Sequence, residues 1–140
     1  MGLILDSSVL IAAERKRLRF QDFCASLGDE ELFITAITAS ELLHGVERAV
    51  DPVIRSKRAA FVEALLARFQ VLEFDVDVAR HHARIWAVLA TGGTLIGPHD
   101  LQIAATALRH EFTLATLNRD EFLRVPSLRM AELKDYVITG

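Results

Sequence analysis

The sequence predicts an α/β fold in which a mainly parallel sheet is covered by helices on both faces. Two observations carry this. Short apolar runs alternate with long stretches of helical periodicity, the pattern of successive βα units. The 140 residues are 51% hydrophobic and 25% charged, with seven Gly and three Pro. That length and composition fit one globular domain, residues 1–140, with a core that needs no metal or disulfide.

The elements follow in order. Residues 2–5 read as a buried strand, and Asp6-Ser7-Ser8 opens a helix through Glu14. Phe20, Phe23, Cys24 and Leu27 share a helical face that Gly28 ends. Residues 32–36 form a second strand. A helix from about Ala39 follows, with Leu42, Leu43, Val46 and Val50 expected inward. Pro52 starts another, carrying Phe61, Val62, Leu65, Leu66 and Phe69. Residues 71–74 form a third strand. A helix over 76–90 is expected to bury Ala79, His82, Ala83, Trp86 and Ala90; Phe74 is also expected in the core. Residues 91–97 are a loop, Pro98 begins a helix, residues 113–116 form a fourth strand, and Asn118 starts a short helical turn. Residues 136–138 are expected as a final edge strand.

Composition excludes several classes. The single cysteine, Cys24, rules out an internal disulfide and a Cys-based zinc site. A reducing cytoplasm fits. The N-terminus lacks a basic stretch before its apolar run, and no apolar run reaches the ~18 residues of a membrane span. Adjacent His81 and His82 do not make an i, i+4 metal pair. The net charge of −3 is not that of a general nucleic-acid binder. Yet all but Lys16, Lys57 and Lys134 of the 16 basic residues are arginine. Arg15, Lys16, Arg17 and Arg19 are packed closely enough to be RNA-contact candidates.

Open parallel sheets bind ligands beyond the carboxyl ends of their strands. Asp6 follows the first strand, Glu41 the second, and Asn118, Asp120 and Glu121 the fourth. Asp100 opens the helix after Gly97-Pro98. Each has a local reading: Asp6 as a helix cap, Thr38-x-x-Glu41 and Asn118-x-x-Glu121 as capping boxes, Asp100 as a helix-dipole partner. Together they suggest one cluster. Two unit charges 4 Å apart repel by ~4 kcal/mol at an effective dielectric of 20. Converging carboxylates must therefore take up protons or bind a cation. All-oxygen ligands favour Mg²⁺ or Mn²⁺, and such a site suits phosphodiester hydrolysis.

Four segments then carry a resemblance: Leu3-Ile4-Leu5-Asp6-Ser7-Ser8-Val9-Leu10-Ile11; Thr38-Ala39-Ser40-Glu41-Leu42-Leu43-His44-Gly45; the stretch from Ile96-Gly97-Pro98-His99-Asp100 through Ala107; and Thr116-Leu117-Asn118-Arg119-Asp120-Glu121-Phe122. In this order and spacing the chain resembles the PIN-domain family, specifically VapC-type toxins of toxin–antitoxin pairs. The resemblance implies a three-layer α/β/α sandwich, a homodimer, a metal-dependent endoribonuclease and inhibition by a VapB-like antitoxin. It implies Asp6 and Asp100 as principal metal ligands and Glu41 as a third acid that binds metal or positions water. Ser8 and Thr116 would support them. Glu121 is favoured as the fourth carboxylate, with Asp120 and Asn118 as alternatives.

Other readings are a catalytically idle PIN-type binding module and a haloacid-dehalogenase-like phosphatase. The latter needs a second Asp where Ser8 stands. No nucleotide-binding glycine motif or serine-hydrolase elbow is present.

Overall fold

The structure, a computed structural model, describes residues 2–139; Met1 and Gly140, the ends of the expected domain, lie outside the described residues. The order is β1 (Gly2–Leu5), α1 (Ser7–Glu14), α2 (Phe20–Ser26), β2 (Glu31–Thr35), α3 (Ala36–Arg48) and α4 (Pro52–Arg68). There follow β3 (Gln70–Leu72), α5 (Val76–Thr91), α6 (Pro98–His110), β4 (Thr113–Ala115) and α7 (Arg119–Phe122). The four strands form one sheet of order β3-β2-β1-β4, and every pair is parallel.

Strand alternation divides the core in two. Leu3, Leu5, Ile34 and Ala115 face a layer built on α1 to α4, with Val9, Leu42, Val62 and Leu65 among its buried residues. Ile4, Phe33, Leu72 and Leu114 face the opposite layer, built on α5 to α7. This is a three-layer α/β/α sandwich. The chain moves outward from β1 to β3 and then returns to place β4 on the other side of β1. The carboxyl ends of β1 and β4 therefore flank the switch point where such sheets open a crevice.

Gly2 is needed where β1 crosses two stacked rings. A Cβ there would lie 2.7 Å from Phe33 and 2.8 Å from Phe112. At the far end of the chain, fully buried Phe122 anchors the four-residue α7 in the second core.

Several expectations are corrected. Helix α3 begins at Ala36, because Thr35 caps it by accepting a hydrogen bond from the Thr38 amide at 3.1 Å. Thr38 is therefore inside the helix, and the capping box with Glu41 does not form. Leu43 and Val50 are exposed, as the buried face of α3 is carried by Thr38, Leu42 and Val46. On α5 the inward stripe is Val78, Ile85 and Leu89. Ala83, Ala90 and Trp86 lie outside it, and Trp86 is 53% exposed. The small alanines had masked which face carries the branched side chains. Phe74 is also largely exposed and meets His82 edge-on, with His82 in turn against Trp86. Residues 136–138 add no strand to the sheet. Lys134–Tyr136 form a 3₁₀ turn, and Val137 makes one antiparallel bridge to Leu18. Among the described residues no helix is long and apolar enough to cross a membrane.

Replacing Phe122 by Ala should cost about 3–5 kcal/mol, the usual range for emptying a buried aromatic site. Urea denaturation measures this. A loss under about 1 kcal/mol would mean that α7 is not anchored by that ring.

Candidate active site

Asp6 stands where β1 becomes α1. Its backbone extends the sheet by donating to the Ala115 carbonyl at 2.9 Å. Its carboxylate is 3% exposed and does not cap α1. Instead Oδ2 accepts from Ser8 Oγ at 2.7 Å and from Thr116 Oγ1 at 2.8 Å. Each hydroxyl also accepts a backbone N–H: Leu117 donates to Ser8 at 3.0 Å and Asn118 to Thr116 at 2.9 Å. Two polarised chains thus run from the β4–α7 loop to one oxygen, and such chains strengthen each link. The position two residues after Asp6, where a phosphatase would need an acid, is spent on orienting Asp6.

Glu41 lies inside α3. Its Oε2 is 3.5 Å from His99 Nδ1, while Oε1 is buried without a hydrogen-bond partner among the described residues. Burial, and then the charge of Asp6, pushes the carboxyl above its ordinary range. An orphaned carboxylate oxygen is costly, and an oxygen-seeking cation would satisfy it.

Asp100 sits in the first turn of α6, after Gly97 and Pro98. A helix N-terminus favours a negative charge. Here the opposing effects prevail: Asp100 is raised from 3.8 to about 8 by burial, by its hydrogen bond with Glu121, and by the charges of Asp6, Glu121 and Glu41. Glu121 moves the other way, lowered chiefly by that hydrogen bond and helped by Asn118, the Gly97 backbone and Arg124. The opposite directions of the two shifts show that the carboxyls are coupled and titrate as a pair. Gly97 forms the adjoining wall, where a Cβ would lie 3.9 Å from both Asp100 Oδ2 and Glu121 Oε2.

Asn118 does not complete a capping box, since its side chain makes no cap bond. Its amide nitrogen donates to Asp100 Oδ2 at 3.0 Å and Glu121 Oε2 at 3.1 Å, cross-linking the acids. Asp120 is exposed and makes no hydrogen bond to this group among the described residues. Asp6, Glu41, Asp100 and Glu121 therefore lie within one another's electrostatic reach. Among the described residues, no three His, Cys, Asp or Glu side chains close around a common point that would hold an ion. Oxygens of Asp6, Asp100 and Glu121 are turned instead to Ser8, Thr116 and Asn118. The donor set is all oxygen, one of its oxygens is orphaned, and its charges repel. Those features fit a hard divalent cation.

The basic run is dispersed. Arg15 faces a furrow that also holds Glu41, whereas Lys16 and Arg19 line a neighbouring cleft with Leu18 and Phe20, on the other side of Phe61. Arg19 is engaged by Asp22, the Asp135 carbonyl and the Tyr136 ring. Arg15 is thus parted from Lys16 and Arg19 where the chain turns at Lys16, whose φ is 58°. Sequence spacing gave no sign of the Glu41–His99 contact or of the Asn118 cross-link, both of which join separate elements.

The PIN domain family profile matches residues 3–128. A protein of Rickettsia bellii named Ribonuclease VapC is 36% identical over 137 residues, covering 96% of this chain and all of the relative. The tRNA(fMet)-specific endonuclease VapC of Salmonella typhimurium is 35% identical over 107 residues, covering 76% of this chain and 79% of the relative. Among solved structures, DNA-bound VapBC from Salmonella typhimurium superposes with a TM-score of 0.83 at 30% identity, covering 94% of this chain and 97% of that one. VapBC-1 from nontypeable Haemophilus influenzae gives 0.84 at 26% identity, covering 96% and 99%. The chain belongs to the PIN-domain family, within its VapC ribonuclease branch.

Two outcomes are expected at this site. Between about pH 4 and pH 8 the folded protein keeps a proton on Asp100 that the unfolded chain has released, so stability falls as pH rises through that window. Without divalent cation the melting temperature should drop across it, and Asp100→Asn should flatten the slope. An unaltered slope would remove Asp100 as its source. Asn118→Asp exchanges a donor for another negative charge. It should melt lower than wild type without cation and gain more on adding Mn²⁺; equal gains would place residue 118 away from the ion.

Proposed function

We propose that this protein is the toxin of a toxin–antitoxin pair and that it cuts RNA internally at the Asp6–Glu41–Asp100–Glu121 site with Mg²⁺ or Mn²⁺. The observation that carries the reading is the convergence of these carboxylates in a half-buried crevice, where burial, the hydrogen bond with Glu121 and the charges of Asp6, Glu121 and Glu41 raise Asp100 to about 8. Asp6, Asp100 and Glu41 would hold the cation, with Glu121 as the fourth acid. When bound, the cation supplies positive charge that favours ionised Asp100, lowers the pKa of a water and offsets charge developing on the phosphate.

The chain's own residues do the rest. Ser8 and Thr116 fix Asp6 before substrate arrives, so no reorganisation is needed there. Glu41, raised by burial and by Asp6, would turn Oε1 to the cation and is suited to orient the attacking water beside it. Asn118 and Glu121 keep Asp100 at the mouth of the crevice. Hydrolysis adds one water across a phosphodiester bond.

The relatives of known structure include VapBC complexes. On that basis we take a VapB-like antitoxin as the partner that fills the active-site groove. We read the protein as cytoplasmic and as a homodimer, whose contact would cover apolar surface such as exposed Trp86, Val88 and Leu95. Two relatives, from Salmonella typhimurium and Shigella flexneri, are named tRNA(fMet)-specific endonucleases. Transfer RNA is therefore the first substrate to test.

Purified protein should cut total RNA or tRNA at few sites with Mg²⁺ or Mn²⁺ and not with EDTA. Asp6→Ala reports contaminating nuclease. Asp100→Asn should stay folded and lose at least about 100-fold in rate, the scale of removing a preorganised electrostatic group. Wild-type turnover by Asp100→Asn would overturn the assignment.

A further inference from the structure

A furrow leaves the acid site between α1 and α3 and ends against α4. Its mouth, about 360 Å³, is lined by Ser7, Ser40, Glu41, His44, Arg48 and His99 together with Ile11. Its narrow inner end, about 70 Å³, gathers Arg15, Arg48 and Arg58 beside Glu14 and Glu41. Glu41 and Arg48 border both parts, so the furrow is continuous. Along α3, Glu41, His44 and Arg48 recur on one face. Seven residues of helix separate Glu41 from Arg48, a rise of about 10 Å.

Its cations are open to a ligand. Arg15 and Arg48 enter no ion pair among the described residues, and what sets them apart from other unpaired arginines is their place beside Glu41. Arg58 is held in place, donating to the Gly45 carbonyl at 3.1 Å. The furrow thus places uncommitted guanidinium groups one short helical segment from the carboxylates.

We propose that this furrow carries the RNA backbone on one side of the bond to be cut, with Arg48 and Arg15 as its phosphate contacts. This rests on the endoribonuclease reading. A strand whose phosphate enters the four-acid site must bring neighbouring phosphates with it. These lie beyond the cation's immediate reach and beside Glu41, where uncompensated charge would repel them. Arg48 and Arg15 are the free cations at that distance, and a planar guanidinium binds two phosphate oxygens at once. Glu14 and Glu41 would repel either anion alike, and an RNA backbone is favoured over an acidic peptide because the furrow leads out of the four-acid site, where the proposed reaction seats a phosphodiester.

The test measures binding rather than cleavage. A labelled mixed-sequence single-stranded RNA is titrated against Asp100→Asn protein over a range of salt concentrations. The same silenced protein then carries Arg48→Gln, Arg15→Gln with Arg48→Gln, Arg48→Lys, or Arg80→Gln on exposed α5 as a control. Each lost phosphate contact should weaken binding and reduce the log–log salt slope by about 0.7, so the double variant should lose about twice the single. Arg48→Lys should keep the slope, and Arg80→Gln should leave it unchanged. An unchanged slope in the Arg48 and Arg15 variants, or an equal loss in Arg80→Gln, overturns the proposal. So does Arg48→Gln that spares RNA but weakens binding of polyglutamate, which would assign the furrow to an acidic partner. Altered slopes with no cleavage by wild type would uphold the furrow and sink the ribonuclease reading. Cleavage with unaltered slopes would do the reverse.

Discussion

Burial of carboxylates beside one another is the constraint around which this molecule is arranged. Asp6, Glu41, Asp100 and Glu121 come from four separate elements; the charges of Asp6, Glu41 and Glu121 add to burial in raising Asp100, and Asp6 does the same to Glu41. The fold tolerates this through local countermeasures. Ser8 and Thr116 donate to Asp6, Asn118 donates to two acids, and Asp100 and Glu121 shift in opposite directions as a coupled pair. These are bonds that a cation can replace. The site is therefore both a source of instability in the bare protein and a preorganised receptor for positive charge.

The scaffold makes the crowding possible because its two cores lock the elements independently of the acids. Buried aliphatic residues of β1 and β4 fix the strands side by side, and Asp6 extends their ladder by one bond. Leu101, Ala104 and Ala105 sink α6 into the second layer, so Asp100 is delivered by packing rather than by any attraction to its neighbours. Phe122 does the same for Glu121. Unfavourable electrostatics at one sheet edge is carried by apolar burial on both faces.

Charge is organised regionally. A chain of net charge −3 concentrates negative groups in the crevice and leaves uncommitted arginines along the adjoining furrow. With a divalent cation in the crevice, the two regions would present one continuous positive path. Global charge says little here, because an RNA backbone senses potential within about a Debye length, ~8–10 Å.

Much of the architecture was legible in the chain. The alternation of apolar runs and helical stripes specified the parallel α/β sandwich, since burial on both faces demands that pattern. Asp6, Glu41 and Asp100 stood out because strand ends and helix starts are short-range features. Local periodicity failed where it could not rank faces: the alanines of α5 drew Trp86 inward on paper, while Val78, Ile85 and Leu89 claim the core in fact. It failed again at Thr38 and Asn118, whose local capping patterns lost to Thr35 and to the distant acid Asp100. The basic run Arg15–Arg19 is contiguous in sequence but divided in space, and Arg15 instead joins Arg48 and Arg58 from other helices. The sequence by itself determined the layers, the strand-end acids and the oxygen-only chemistry, all set by nearest-neighbour pattern and side-chain type. Only the tertiary structure decided which acids are coupled, which carboxylate oxygen is left without a partner and which arginines face one furrow, because those depend on side chains brought together from elements far apart in the chain.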